Sequence, residues 1–138
     1  MESINKDSQG WIVWDKKKPE GVGFADGELA WTSFDRALRI FRYMWNGMLQ
    51  ENMKDKEIRQ HPTQKPRDLY SWILKNYAKP GDLILDTHVG SGSSIIACQQ
   101  MGFKFIACEI DSEYYRLSKE RFENETAQMT MFNMGLIE

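Results

Sequence analysis

Asp86-Thr87-His88-Val89-Gly90-Ser91-Gly92-Ser93-Ser94 is the stretch whose reading decides the fold. The apolar run Leu83-Ile84-Leu85 before it reads as a short buried strand, and Ile95 to Met101 after it continues as a helix. Strand, glycine loop and helix in that order build a nucleotide-binding turn. Gly90 and Gly92 reach backbone angles closed to other residues and let a ligand approach the main chain. The helix that follows presents N–H groups with no partner inside the helix.

Working outward, Gly102 stops that helix and a second apolar run, Phe105-Ile106-Ala107-Cys108, leads to Glu109, 17 residues past Gly92. In a Rossmann-like sheet an acid at that place hydrogen-bonds the ribose hydroxyls of an adenosine-containing ligand. A strand over 103–109 and a helix over 112–123, capped by Asp111 or Ser112, complete a βαβ unit followed by a helix. Upstream, His61-Pro62-Thr63-Gln64-Lys65-Pro66 sets a rigid extended turn, with Pro66 at a helix start. That helix runs to Tyr77 with Leu69, Trp72, Ile73 and Tyr77 on one face, and Lys79-Pro80-Gly81-Asp82 turns the chain into the Leu83 strand. The tail, 126–138, is weakly patterned, with a short strand at Met129-Thr130-Met131-Phe132.

The first half has a different texture. Residues 1–10 are polar and frayed, and Trp11-Ile12-Val13-Trp14 is a strand ending in the charged turn Asp15 to Pro19. A glycine-spaced loop joins it to a second strand, Glu28 to Phe34, which can pair with the first although the loop is too long for a tight hairpin. Ala37 to Trp45 is ambiguous between helix and strand and leans to strand because aromatics dominate it, with Arg36, Arg39 and Arg42 interleaved among them. Such a pattern serves nucleic acid, with guanidinium groups on phosphates and rings on bases, though a half-buried strand with a solvated basic face is the favoured reading. The stretch 50–60 is highly charged with little to bury, which predicts an exposed loop or linker.

With 138 residues, 41% of them hydrophobic and 28% charged, the chain has the composition of one globular domain with a real core. A net charge of −2 gives no overall basic field. Cys98 and Cys108 fall inside apolar runs without metal-type spacing, so they read as reduced buried thiols of a cytoplasmic protein, and no metal site is expected. No apolar run approaches the ~18 residues that cross a membrane.

Together these motifs resemble the amino-methyltransferases of DNA, which transfer a methyl group from S-adenosylmethionine to adenine N6 or cytosine N4. The likeness is to the permuted class with late cofactor motifs. His61 to Pro66 is similar to the segment before that class's first cofactor helix. Asp86 to Ser94 is similar to its Asp-Pro-Phe-x-Gly-Ser-Gly-Thr-Thr loop, and Glu109-Ile110-Asp111 to its ribose-binding acid. Trp11 to Lys16 and Phe24 to Phe34 resemble a sheet region of phage-type adenine methylases. The likeness runs from about residue 10 to 132, and its strength lies in the order and spacing of motifs that are weak singly. It implies an α/β Rossmann-like fold in one domain: a sheet-edge and DNA-facing region over 11–49, a charged loop over 50–60 and a cofactor-binding region over 61–125. It also implies S-adenosylmethionine as cofactor, with Asp86 on the methionine ammonium, Thr63 and Lys65 on its carboxylate, Glu109 on the ribose, and His88, Gly90, Ser91, Gly92 and Ser93 around the loop. Ser91 or Ser93 also reads as a helix N-cap.

Two departures stand out. Thr87 and His88 replace the usual Pro and Phe, and the family's catalytic tetrapeptide, an Asp, Asn or Ser followed by Pro-Pro and an aromatic, is absent: Pro19, Pro62, Pro66 and Pro80 are never adjacent. That tetrapeptide accepts the hydrogens of the target amine, a poor nucleophile while conjugated to its ring, and stacks on the flipped base. No catalytic residue is therefore assigned, and the chain is expected to be inactive alone, with an N-terminal portion missing. The Leu83 strand is expected to have an unpaired edge beside a detached sheet fragment, so that a second copy or a separate chain completes the sheet. Double-stranded DNA would be bound weakly or only by the complete enzyme. The competing reading is a degenerate methyltransferase-fold module that binds nucleic acid or protein without catalysis. A nucleotide-binding oxidoreductase fits least, because positions 90, 92 and 95 are Gly, Gly and Ile where Gly-x-Gly-x-x-Gly is needed.

Overall fold

The computed structural model describes residues 10–46 and 48–133; the expectations for residues 1–9 and 134–138 lie outside them. The chain divides into two compact units, Met1–Lys56 and Glu57–Glu138.

In the first unit β1 (Trp11–Asp15) is the central strand, antiparallel to β2 (Gly27–Trp31) and parallel to β3 (Arg39–Arg42). Charge, not apolar burial, organises the β1–β2 connection: Lys18 Nζ donates to the carbonyls of Val22 and Phe24 and pairs with Asp26 at 2.9 Å. Alternation along a strand sends Ile12 and Trp14 to one face, where both are buried, and the Trp14 indole donates to the Tyr43 carbonyl at 3.1 Å. On the other face Trp11, Leu29, Trp31 and Ile40 are exposed. The same alternation puts Arg39 and Arg42 on opposite faces of β3. Arg42 pairs with Asp15 at 3.4 Å, and Arg36, before the strand, sits over the Phe34 ring. The three arginines thus form no single basic face. A small antiparallel pair, β4 (Trp45–Asn46) and β5 (Leu49–Gln50), buries Trp45 and Gln50.

The second unit opens with α1 (Arg67–Tyr77), followed by β6 (Leu83–Asp86), α2 (Ser93–Met101), β7 (Lys104–Ala107) and α3 (Ser112–Asn133). β6 and β7 are parallel, with Asp86 opposite Ala107. Pro66 caps α1 in an extended conformation, as a helix-starting proline should. The buried residues of α1 are Leu69 and Leu74, while Trp72, Ile73 and Tyr77 are only half-buried, because the packed stripe lies over α2. Leu74, Ala97 and Cys98 form the core with Ile84 and Phe105, one side chain from each strand, packed against it. Gly102, at φ +76°, ends α2 in a left-handed cap, with Phe103 N–H donating to the Cys98 carbonyl at 2.9 Å.

Three expectations are corrected in this unit. Leu83-Ile84-Leu85 is a strand but not a buried one: Leu83, Leu85 and Ile106 are 60%, 63% and 53% exposed, so the helices cover one face of β6–β7 and leave the other bare. Cys108 lies on that bare face and is exposed; only Cys98 is buried. Residues Met129 to Phe132 are helical and form no strand, since neither Gly nor Pro interrupts the run from Ser112 to Asn133. Asp111 caps this long helix, its Oδ1 accepting the N–H groups of Glu113 at 2.9 Å and Tyr114 at 3.0 Å.

The charged stretch 50–60 also differs from expectation, because its Glu57 is 6% exposed and carries ion pairs of the second unit. As expected, the Leu83 strand is in a different sheet from β1, and among the described residues it pairs only with β7.

Candidate cofactor site at the glycine loop

The site grows from the carboxyl ends of two adjacent parallel strands, where open α/β sheets hold ligands. The ladder persists one step beyond β7: Cys108 N–H donates to the Asp86 carbonyl at 2.9 Å and Val89 N–H to the Cys108 carbonyl at 3.0 Å. This sets Asp86 and Glu109 at neighbouring strand ends, with the loop between them in space.

Asp86 Oδ1 accepts the His88 N–H at 3.0 Å and Oδ2 accepts the Ser94 hydroxyl, tying the end of β6 to the first turn of α2. Glu109 closes the opposite side. Its Oε2 accepts the Gly90 N–H at 2.9 Å and its Oε1 the Asp111 N–H at 3.1 Å, and these two backbone donors hold its carboxyl below the usual glutamate range. A carboxylate offers about four acceptor positions, so each acid retains capacity for a ligand.

Gly90 and Gly92 have φ of +53° and +83°. At Gly92 a Cβ would meet the Ser118 carbonyl oxygen at 3.2 Å, so α3 packs directly on the loop. Gly92, and neither Ser91 nor Ser93, is the α2 N-cap, and it makes no side-chain cap. Both serines are buried, and both hydroxyls accept hydrogen bonds from Arg121. Their side chains face the interior, leaving the loop backbone as what positions 91 and 93 can offer a ligand.

His88 is exposed, its Nδ1 2.9 Å from the Thr87 hydroxyl. Thr63 is exposed, and its N–H donates to His61 Nδ1 at 3.1 Å. Because a backbone N–H only donates, His61 Nδ1 is the acceptor in this contact. The His61 ring lies against the site: its Cδ2 is 4.0 Å from where a Gly90 Cβ would be, and its centroid is 4.1 Å from that of Tyr114. The turn bearing Thr63 and the half-buried Lys65 is thereby joined to the loop. Arg36, Arg39 and Arg42 belong to the first unit.

Sequence reading missed the residues behind the loop. Arg121, 4% exposed, donates from Nη1 to the Ser91 carbonyl at 3.0 Å and to the Ser93 hydroxyl at 2.9 Å. It donates from Nη2 to Glu57 Oε2 at 2.7 Å and from Nε to Glu125 Oε1 at 2.7 Å. Arg67 spans the same two acids, with its N–H on Glu57 Oε1 at 2.9 Å and Nη1 on Glu125 Oε2 at 2.8 Å. Burial pushes the Glu57 carboxyl up, against the opposing pull of the Arg67 N–H and the Arg121 guanidinium. One signal was present: Tyr114, Ser118, Arg121 and Glu125 recur at helical spacing on the inward side of α3, so charges stand where apolar residues are the rule.

Among the described residues no group of three or more His, Cys, Asp or Glu is placed to hold a metal ion, and no helix is long and apolar enough to cross a membrane.

Comparison with known proteins places this geometry. The chain is 37% identical over 82 residues to the type II methyltransferase M2.DpnII of Streptococcus pneumoniae, an alignment covering 59% of this chain and 30% of that protein. It is 39% identical over 67 residues to the DNA adenine methyltransferase YhdJ of Escherichia coli K12, covering 49% of this chain and 23% of that one. The matched region thus spans less than a third of either relative. Among solved structures, the M1.HpyAVI–SAM complex superposes with a TM-score of 0.58 at 25% identity, over 80% of this chain and 60% of that one. The fold is the α/β fold of S-adenosylmethionine-dependent DNA methyltransferases. With the model of the N6/N4 DNA methylases matching residues 13–120, a span that reaches all three sheets, the glycine loop and Glu109, the chain belongs to that family of DNA methylases.

Proposed function

We propose that this chain is the S-adenosylmethionine-binding part of a site-specific DNA N6-adenine methyltransferase, inactive in methyl transfer by itself. The observation that carries this reading is the placement of Asp86, at the end of β6, and Glu109, just past the end of the adjacent β7, on either side of a left-handed glycine loop, with Glu109 already bonded to the Gly90 N–H. The donor set suits the ligand at both ends. The Asp86 carboxylate takes the methionine ammonium, Thr63 and Lys65 take the carboxylate, and Glu109 takes the ribose hydroxyls. The loop backbone at Gly90, Ser91, Gly92 and Ser93 faces the amino-acid end, and His88 flanks it there. When bound, the cofactor supplies an electrophilic methyl group on a sulfonium. The chain's own residues orient that group and hold its charged tail, but without an acceptor tetrapeptide they bind no target amine.

A separate segment or second chain bearing that tetrapeptide supplies the acceptor side, and double-stranded DNA is engaged by the completed enzyme in the cytoplasm. Arg36, Arg39 and Arg42 contribute at most individual phosphate contacts. The likeness to YhdJ, a DNA adenine methyltransferase, favours adenine over cytosine.

Titration calorimetry with S-adenosylmethionine tests the reading. Micromolar binding that Asp86→Ala or Glu109→Ala abolishes supports it, whereas no heat on a folded sample favours a module that kept the fold and lost the cofactor. Methylated adenine produced by this chain alone would overturn the missing acceptor.

A further inference from the structure

We infer that Arg121 is a positioning residue for the cofactor loop: it selects the loop conformer that receives the amino-acid end of the ligand, without touching the ligand itself. The inference rests on the S-adenosylmethionine reading above. Its basis is the distribution of one buried guanidinium over two tasks. Nη1 faces the loop, donating to the Ser91 carbonyl at 3.0 Å, the Ser91 hydroxyl at 3.3 Å and the Ser93 hydroxyl at 2.9 Å. Nη2 and Nε face away, each 2.7 Å from a carboxylate oxygen, on Glu57 and Glu125. Arg67 bridges the same two acids from the start of α1, so the guanidinium is held from both sides.

A glycine-rich loop has many accessible conformers, and choosing one on binding weakens the complex by the entropy lost. Turning the Ser91 carbonyl toward α3 directs that peptide's oxygen away from the ligand. Anchoring both serine hydroxyls in the same place removes the alternatives in advance. The planar fork of arginine suits this work, because its donors reach loop and acids at once; a lysine ammonium has three donors at a single point. The proposed effect is local. It bears on the end of the ligand that lies over Gly90 to Ser93, and less on the ribose held by Glu109.

The test compares two ligands on the full chain. S-adenosylhomocysteine carries the amino-acid tail, and 5′-methylthioadenosine lacks it. In Arg121→Lys, affinity for the first should fall about tenfold or more, as expected for losing charge-assisted loop contacts, and affinity for the second should change by less than about threefold. Amide hydrogen exchange of the ligand-free protein should accelerate at Gly90 to Ser94 and stay unchanged in strand β6. Glu57→Gln, which leaves the arginine in place with a weaker anchor, should shift both readouts in the same direction by less, and it serves if Arg121→Lys does not fold. Equal losses for both ligands, or unchanged loop exchange in a folded variant, would overturn the inference. Failure of the unaltered chain to bind either ligand would instead overturn the cofactor reading, with loop exchange still deciding whether Arg121 orders the loop.

Discussion

Gly92 concentrates several constraints in one residue. Its φ of +83° is open to glycine and strained for any other residue, and a Cβ would press on the Ser118 carbonyl at 3.2 Å. Gly92→Ala should therefore destabilise the fold by about 1–3 kcal/mol in urea unfolding. Glu109 and Asp86 predict affinity more than stability: removing either carboxylate should weaken S-adenosylmethionine binding by at least about tenfold in calorimetry, since each would hold a charged or hydroxyl group of the ligand. Glu57 carries the pH dependence. Its folded pKa is raised by burial, so its contribution is present below the ordinary glutamate value and is lost as pH rises through the raised one. The stability of the unaltered chain relative to Glu57→Gln should hence be greater near pH 4 than near pH 7, as measured by urea unfolding at both. Nothing in the local sequence marks Glu57 as buried, because its partners Arg67 and Arg121 lie 10 and 64 residues away along the chain.

At the scale of elements, α2 is defined by its ends. Glycine at both caps, Gly92 and Gly102, bounds a helix whose first six residues are all buried. Position 102 has open space around a would-be Cβ but a φ of +76°, so Gly102→Ala should cost about 1 kcal/mol in thermal or urea unfolding from backbone conformation alone. The order strand, loop, helix, strand, helix was legible because each boundary has a local chemical marker: Pro66, the glycines of the loop, Gly102 and Asp111. The extent of α3 was not, since the weak pattern past Glu125 read as a tail with a short strand at 129–132, where the helix in fact continues. The face of β3 was misread for a geometric reason. Three-residue spacing places Arg36, Arg39 and Arg42 together on a helix, but a strand alternates with period two.

For the whole molecule, the consequence of splitting the strands into three small sheets is bare apolar surface. Leu83, Leu85 and Ile106 in the second unit, and Trp11, Leu29, Trp31 and Ile40 in the first, are exposed on sheet faces. Such faces beside unpaired strand edges favour association. The isolated chain is expected to behave in light scattering as a species larger than a monomer, and Leu85→Lys should shift it toward monomer without loss of the helical circular dichroism signal. A stable, monodisperse monomer would count against completion of the sheet by another copy.

By itself the sequence determined the kind of site: which strand ends carry acids, where the loop bends and which tetrapeptide is absent, because these depend on residue identity and on spacings of a few residues. Only the tertiary structure decided what the loop rests on and what the strands leave uncovered. The buried ion network joins Glu57, Arg67, Arg121 and Glu125 across long chain separations, and burial of a strand face depends on how many neighbours are present to cover it. Leu83-Ile84-Leu85 reads as fully buried from composition alone; two strands with helices on one side can bury only half of it.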